Sequence, residues 1–293
     1  MNNMKKGFII VIIFFGFLPA AISQSEVAPL LLTEMTWVDV QSYREENDMV
    51  IIPLGSIEQH GKHLPIGTDY FSAFELSKRI SAKTDVVVAP ILMVGYSEYH
   101  SGFPGTISIS LETMEMVVFE CIESLIKHGF KRFIFYNAHG GNNIVQEKLI
   151  HRVNSNTGAD AVSIGVGSPL WPTEGVEYFD WHAGKFETSL DLCLFPDLVQ
   201  LDKAEKPIIH FSEETERMKL LAEDYPELNR IWEETKLFLP EENGKGAAVH
   251  EISSNGVISY NDPKDASTEY GMPYVDSIVN SAAALIKAWK LAD

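Results

Sequence analysis

Only two cysteines occur in the 293 residues, so no disulfide framework holds this chain together. Basic residues are scarce too: 23 Lys and Arg face 41 Asp and Glu, a formal net charge of −18. A protein that tracks phosphates needs a basic face. No Lys/Arg cluster occurs beyond the extreme N-terminus, which argues against sequence-independent binding of nucleic acid. Past residue 18 no apolar run is long enough to span a bilayer. Internal repeats and low-complexity tracts are absent, as are a G-x-S-x-G elbow, an HExxH helix, a P-loop and a Rossmann glycine fingerprint. What is present is a chain 45% hydrophobic and 22% charged, able to bury a sizeable α/β core.

Residues 1–23 read as a secretory signal peptide. Lys5 and Lys6 form the basic start, Phe8 to Leu18 the apolar run, and Ala21 and Ser23 the small residues before a cleavage that would leave Gln24 near the mature N-terminus. The expectation is an exported protein, periplasmic or secreted, with no membrane attachment after cleavage; an uncleaved anchor is the alternative. Losing two lysines and no acid takes the charge to −20. Cys121 and Cys193 lie on apolar helical patterns and are expected as buried free thiols, with a disulfide as the alternative.

Residues 24–293 read as one domain in which short apolar strands alternate with amphipathic helices. Strands are predicted at Met49–Leu54, Asp85–Ala89, Arg132–Tyr136 and Ala161–Val166. Helices are predicted at Phe71–Lys83, at Leu111–His128 with Gly129 as its left-handed cap, and at Asn143–Asn156 behind an Asn cap. Further helices are predicted at Thr188–Leu201, broken at Pro196, and at Tyr274–Leu291, after a loop over 254–271. The charge-rich stretch 212–246 reads as a helical insertion or lid. Continuous apolar strands each followed by a helix predict a layered α/β/α fold with a mostly parallel central sheet. Ligands then sit beyond the carboxyl ends of the strands, after Leu54, Ala89, Tyr136 and Val166.

Candidate ligands collect at those ends. GSIEQHGKHLPIGTD, residues 55–69, offers Glu58, His60, His63 and Asp69. In extended backbone Glu58 and His60 share one face, and Gly61, Pro65 and Gly67 turn the chain so that Asp69 returns to it. This is either an N/O site for Zn²⁺, Mn²⁺ or Fe²⁺ or a polar loop with capping acids. His139 follows the third strand and precedes Gly140 and Gly141, which permit close backbone approach. In WHAGKFETSL, His182 and Glu187 lie five apart, and Glu187 is either a ligand or a charge at a helix N-terminus. HSGFPGTISIS, residues 100–110, reads as a turn entering a short strand pair, a pocket wall in which His100 is structural.

Four of these motifs, GSIEQHGKHLPIGTD, FPGTISIS, NAHGGNN and HAGKFETSL in that order, resemble the creatininase (creatinine amidohydrolase) family, and the likeness runs from about Thr36 to Lys290. The resemblance implies a creatininase-like α/β hydrolase with two divalent metal ions (Zn, Mn or Fe), assembled as a homo-oligomer, often a hexamer. Glu58, Asp69 and His139 would hold one ion, and His60 with the bridging Asp69 the other. Creatininase itself completes the second site with a Glu two residues after the third-strand His. This chain has Gly141 there, leaving Glu187 or a water to substitute. His182 would be catalytic, passing a proton to the leaving nitrogen, with Glu187 orienting it. Creatininase closes on creatinine with a Trp-Asp pair; by position this chain has Tyr178 and Phe179, expected with Ser97 to contact substrate. The implied reaction is cleavage of a C–N bond in a cyclic or linear amide other than creatinine, by water activated on the metals. Alternatives are a peptidase, a hydrolase of sugar-derived rings, or a small-molecule binder that retains the fold.

Overall fold

In the computed structural model, residues 27–172, 180–211, 213–228 and 249–292 are described. Residues 1–23, expected as a signal peptide, Tyr178, Phe179, Ser212 and all of 229–246 lie outside them.

The strands β1 (Met49–Leu54), β2 (Val87–Val88), β3 (Arg132–Asn137) and β4 (Asp160–Ser163) form one parallel sheet in the order β2-β1-β3-β4. Every residue of β1 and β3 is buried. Alternate side chains therefore enter different layers. Met49, Ile51, Ile134 and Tyr136 face helices α2 (Thr68–Thr84), α5 (Lys185–Leu194) and α8 (Thr268–Lys290). Val50, Ile52, Leu54, Phe133 and Phe135 face α3 (Leu111–Lys127) and α4 (Asn143–Asn156). Each such fully buried side chain contributes about 1.5–3 kcal/mol. Helix α1 (Trp37–Glu46) precedes β1 and closes its own start with a Thr36–Asp39 capping box.

The strand order reverses between β1 and β3, which are parallel neighbours in space with β2 on the far side of β1. Their register pairs Leu54 with Asn137. Both chains thus leave the sheet side by side at the switch point, where an open α/β sheet has its crevice.

Several predicted boundaries shift for physical reasons. Helix α2 starts at Thr68, not Phe71, so Asp69 is held in a rigid first turn rather than a loop. Helix α5 starts at Lys185, not Thr188, and ends at Leu194; Pro196 opens a separate 3-10 turn. Helix α8 starts at Thr268 behind a Ser267 cap and runs through Pro273, which forgoes one backbone bond near the helix start. β2 is two residues long, and β4 stops at Ser163. The strand pair expected after FPGT is a single bridge between Ile57 and Ile107. Cys121 and Cys193 are free, as expected, but Cys121 is exposed and Cys193 partly so, because the apolar stripes of their helices face the core beside them.

The other short elements are α6 (Glu213–Asp224), α7 (Val249–Ile252), and an antiparallel ribbon of β5 (Asp180–His182) and β6 (Ile258–Ser259). Among the described residues no helix is long and apolar enough to cross a membrane.

Candidate metal centre

The segment leaving β1 carries Glu58 and His60, both 1% exposed. The segment leaving β3 carries His139, and asparagines tie the two together. Asn142 Nδ2 donates to Gly55 O at 3.0 Å, and Asn142 Oδ1 accepts from Tyr96 N at 3.1 Å. Asn137 Nδ2 donates to His139 O at 2.7 Å and Asn137 Oδ1 accepts from His139 N at 3.1 Å. Asn142 occupies the N-cap position of α4, but its side chain makes these cross-links instead of capping the helix.

His182 ends β5, and Ala183 follows in the left-handed region at φ 54°. That conformation is unfavourable for a residue with a Cβ and is held by its surroundings. Ala183 N donates to Glu187 Oε2 at 2.5 Å, which fixes the carboxylate of Glu187 under the site. Asp180 Oδ2 accepts from Phe186 N at 2.8 Å and so caps α5. A Cβ on Gly184 would sit 1.7 Å from Asp180 Oδ1, so only glycine permits this turn.

These elements converge. His60 Nε2 lies 3.5 Å from Asp69 Oδ1 and 3.4 Å from Glu187 Oε1. His139 Nδ1 lies 3.1 Å from Asp69 Oδ2. Three sets, Glu58–Asp69–His139, His60–Asp69–Glu187 and Glu58–His60–His182, each offer ligand atoms within 4.8 Å of one another. Asp69 is common to the first two. Gly141 carries no donor, and Glu187 is the third residue of the second set.

Charge here is concentrated and buried. Burial disfavours the carboxylate of Glu58, but His100 and His139 outweigh it and hold Glu58 well below the usual range. Burial likewise opposes ionisation of Asp69, yet His60 and His139 bring it down to about 2. Burial opposes a charge on His60, but Glu187 and Asp69 raise its pKa well above the ordinary value; Glu58 and Asp69 do the same for His139. His182 is pushed down, first by burial and then by His60. Without a cation, then, the raised imidazoles of His60 and His139 stand against three carboxylates, those of Glu58, Asp69 and Glu187. His60 Nε2 and Asp69 Oδ2 nevertheless lack a well-formed hydrogen bond, which is costly for buried polar atoms. A divalent cation fits this donor set: carboxylate oxygens and imidazole nitrogens, buried, convergent and incompletely satisfied.

The remaining bonds fix each imidazole's direction. His60 Nδ1 lies 3.1 Å from Glu58 O and donates to it, which leaves Nε2 facing Asp69 and Glu187. His139 Nε2 donates to Tyr96 O at 2.9 Å, leaving Nδ1 toward Asp69. His182 Nε2 donates to Gln59 O at 2.6 Å, leaving Nδ1 on the cluster side, 3.7 Å from Glu58 Oε1.

A cavity of about 780 Å³ opens above the cluster, a usual size for a small-molecule site. Glu58, Asp69, His139, His182 and Glu187 line it, with aromatic walls from Tyr96, Tyr99, Trp171 and Trp181. Ser97, expected to contact substrate, is 0% exposed and supports the site from behind: its Oγ lies 2.6 Å from Ser56 Oγ and 3.4 Å from His139 Nε2. His63 also turns away, with Nε2 2.8 Å from Thr188 Oγ1. His100 is more than a wall residue, since its Nε2 lies 3.4 Å from Glu58 Oε1. Its position depends on Gln59, 41 residues away, and no local pattern announces that.

Comparison with known proteins gives a consistent result. The creatinine amidohydrolase (creatininase) family model matches residues 33–286. A mycofactocin precursor peptide peptidase of Mycolicibacterium smegmatis is 32% identical, over 83% of this chain and 85% of its own length. A creatinine amidohydrolase of Pseudomonas putida is 31% identical, over 58% of this chain and 74% of its own. A solved structure described as manganese creatininase superposes with a TM-score of 0.68 at 24% identity, covering 89% of this chain and 98% of that one, a likeness of fold.

Proposed function

This chain belongs to the creatininase family, whose members are hydrolases, and from that premise we propose that it is a two-metal amidohydrolase acting on a cyclic or linear amide other than creatinine. The observation that carries the reading is the shared carboxylate of Asp69 between two sets of oxygen and nitrogen donors, buried except for Glu187. Glu58, Asp69 and His139 would hold one ion, and His60, Asp69 and Glu187 the other. When bound, such ions supply Lewis-acid polarisation of a carbonyl and lower the pKa of water from about 15.7 toward about 7.

The chain's own groups do the rest. His182, kept neutral by burial and aimed by the Gln59 carbonyl, presents the Nδ1 lone pair to the cavity. From there it accepts a proton from the attacking water and returns it to the departing nitrogen. Glu187, held by Ala183 N, stays in place through both transfers. Tyr96, Tyr99, Trp171 and Trp181 set aromatic surface beside the reacting groups.

A peptidase is the second reading, favoured because a peptidase is the relative that matches 83% of this chain. Metal analysis of the purified protein, followed by a panel of cyclic amides, linear amides and short peptides with that metal, tests both. Turnover of small amides is expected; turnover of peptides alone selects the second reading, and bound metal with turnover of neither refutes both in favour of a binding protein. The same proposal takes residues 1–23 to be a leader removed on export and the mature protein to be a homo-oligomer. A mature N-terminus far from Gln24, or a monomer in sedimentation, would count against those parts.

The raised pKa values of His60 and His139 give a thermodynamic signature. A cation takes neutral imidazole, so binding near neutral pH must expel the protons these rings carry. Zinc binding is therefore expected to release about two protons at pH 7, and affinity is expected to fall as pH falls, beginning above the ordinary imidazole range. Titration calorimetry in buffers of different ionisation enthalpy measures the release. Binding with no proton exchange would place the ion elsewhere.

A further inference from the structure

His100 is 2% exposed and stands beside three metal-competent groups of side chains, yet belongs to none of them. The reason lies in the amide of Gln59. Gln59 Oε1 accepts from Gly61 N at 2.9 Å. Gln59 Nε2 lies 3.0 Å from Gly256 O and 2.9 Å from His100 Nδ1. Flipping the amide would set its NH₂ against the Gly61 N–H and its oxygen against the Gly256 carbonyl, two repulsive contacts, so the orientation is determined by its neighbours. The two amide protons then go to Gly256 O and His100 Nδ1. A third neighbour, His182 Nε2 at 3.0 Å, already uses its own proton on the Gln59 carbonyl and cannot accept.

His100 Nδ1 is therefore an acceptor, and the ring proton sits on Nε2, which faces Glu58 Oε1 at 3.4 Å. We infer that Gln59 locks His100 in the Nε2–H tautomer, so that His100 serves as a positioning residue that turns its N–H toward the Glu58 carboxylate and is barred from acting as a metal ligand. The inference rests on the two-metal reading for the role of Glu58, but the tautomer itself follows from the hydrogen bonds alone. One side chain thereby settles the direction of a ring that would otherwise add a competing donor to the cluster, while its backbone carbonyl settles His182.

The test is long-range ¹H–¹⁵N correlation on full-length, zinc-loaded protein with ¹⁵N-histidine, the His100 signals being identified by their loss in His100→Gln. The expected spectrum has a pyridine-type Nδ1 and a protonated Nε2 for His100. In Gln59→Glu, which keeps the shape but cannot donate, the pattern at His100 is expected to reverse while His182 keeps its Nε2–H. A protonated Nδ1 in the wild type, or a His100 pattern unmoved in Gln59→Glu, overturns the inference. If Gln59→Glu does not fold, the wild-type spectrum still decides. His100→Ala is expected to weaken zinc binding by about 10–100-fold in chelator competition; unchanged affinity would remove the positioning role. If no zinc binds at all, the two-metal reading fails, and the same spectrum of the metal-free protein still decides the tautomer.

Discussion

Asp69→Ala is expected to lose both metal ions together and to lower kcat/KM by more than about 100-fold, the upper end of what losing a mere supporter of a ligand costs. The carboxylate reaches His60 with Oδ1 at 3.5 Å and His139 with Oδ2 at 3.1 Å, so no other single side chain in the described site serves both donor sets. Its loss also leaves His60 and His139 without a carboxylate that stabilises their charge, so the metal-free variant should protonate those rings at lower pH than the parent. Elemental analysis after dialysis reads the metal content. Two ions retained per chain would show that Asp69 does not bridge, whatever happened to the rate.

The second large effect is expected at Gly141. Restoring there the Glu found in creatininase should not complete a second site; it should break the first. A Cβ at this position would lie 2.3 Å from Tyr96 O, 2.5 Å from His139 Nε2 and 2.6 Å from Tyr99 Oη. The carbonyl belongs to backbone held by Asn142, and the imidazole is bonded to that same carbonyl, so neither can retreat alone. Tyr99, which accepts from Gly141 N, occupies the slot a longer side chain would need. Gly141→Ala should already cost about 1–3 kcal/mol of stability, as overpacking does, and Gly141→Glu should in addition lose metal from the Glu58–Asp69–His139 set. Thermal unfolding and metal analysis check both. A Gly141→Glu protein as stable as the parent and richer in metal would mean that the slot opens.

The layered fold was legible because its strands are short, apolar and each tied to a neighbouring helix; the local pattern carries most of the information for Met49–Leu54 or Arg132–Asn137. The donors at those strand ends were legible for the same reason, since the ends of a parallel sheet must meet. What stayed hidden depends on partners distant in sequence. The three-residue strand at Asp180–His182 exists only against Ile258–Ser259, and three residues have no period to read. Gln59 looks like one polar residue in a polar loop; its importance appears only when His100, His182 and Gly256 gather round its amide. Ser97, expected to contact substrate, packs instead behind the imidazole it supports.

The side chains that would hold the first ion hang from β1, β3 and α2, within the central layers, whereas His182 rides on a two-stranded ribbon outside the parallel sheet. In the proposed mechanism, charge handling and proton handling are thus mounted on separate parts of the architecture. Descent can lengthen, re-angle or redecorate the ribbon, and so suit a different departing group, without recutting the cradle beneath it. A lineage built this way is free to change what it breaks far more readily than how it breaks it.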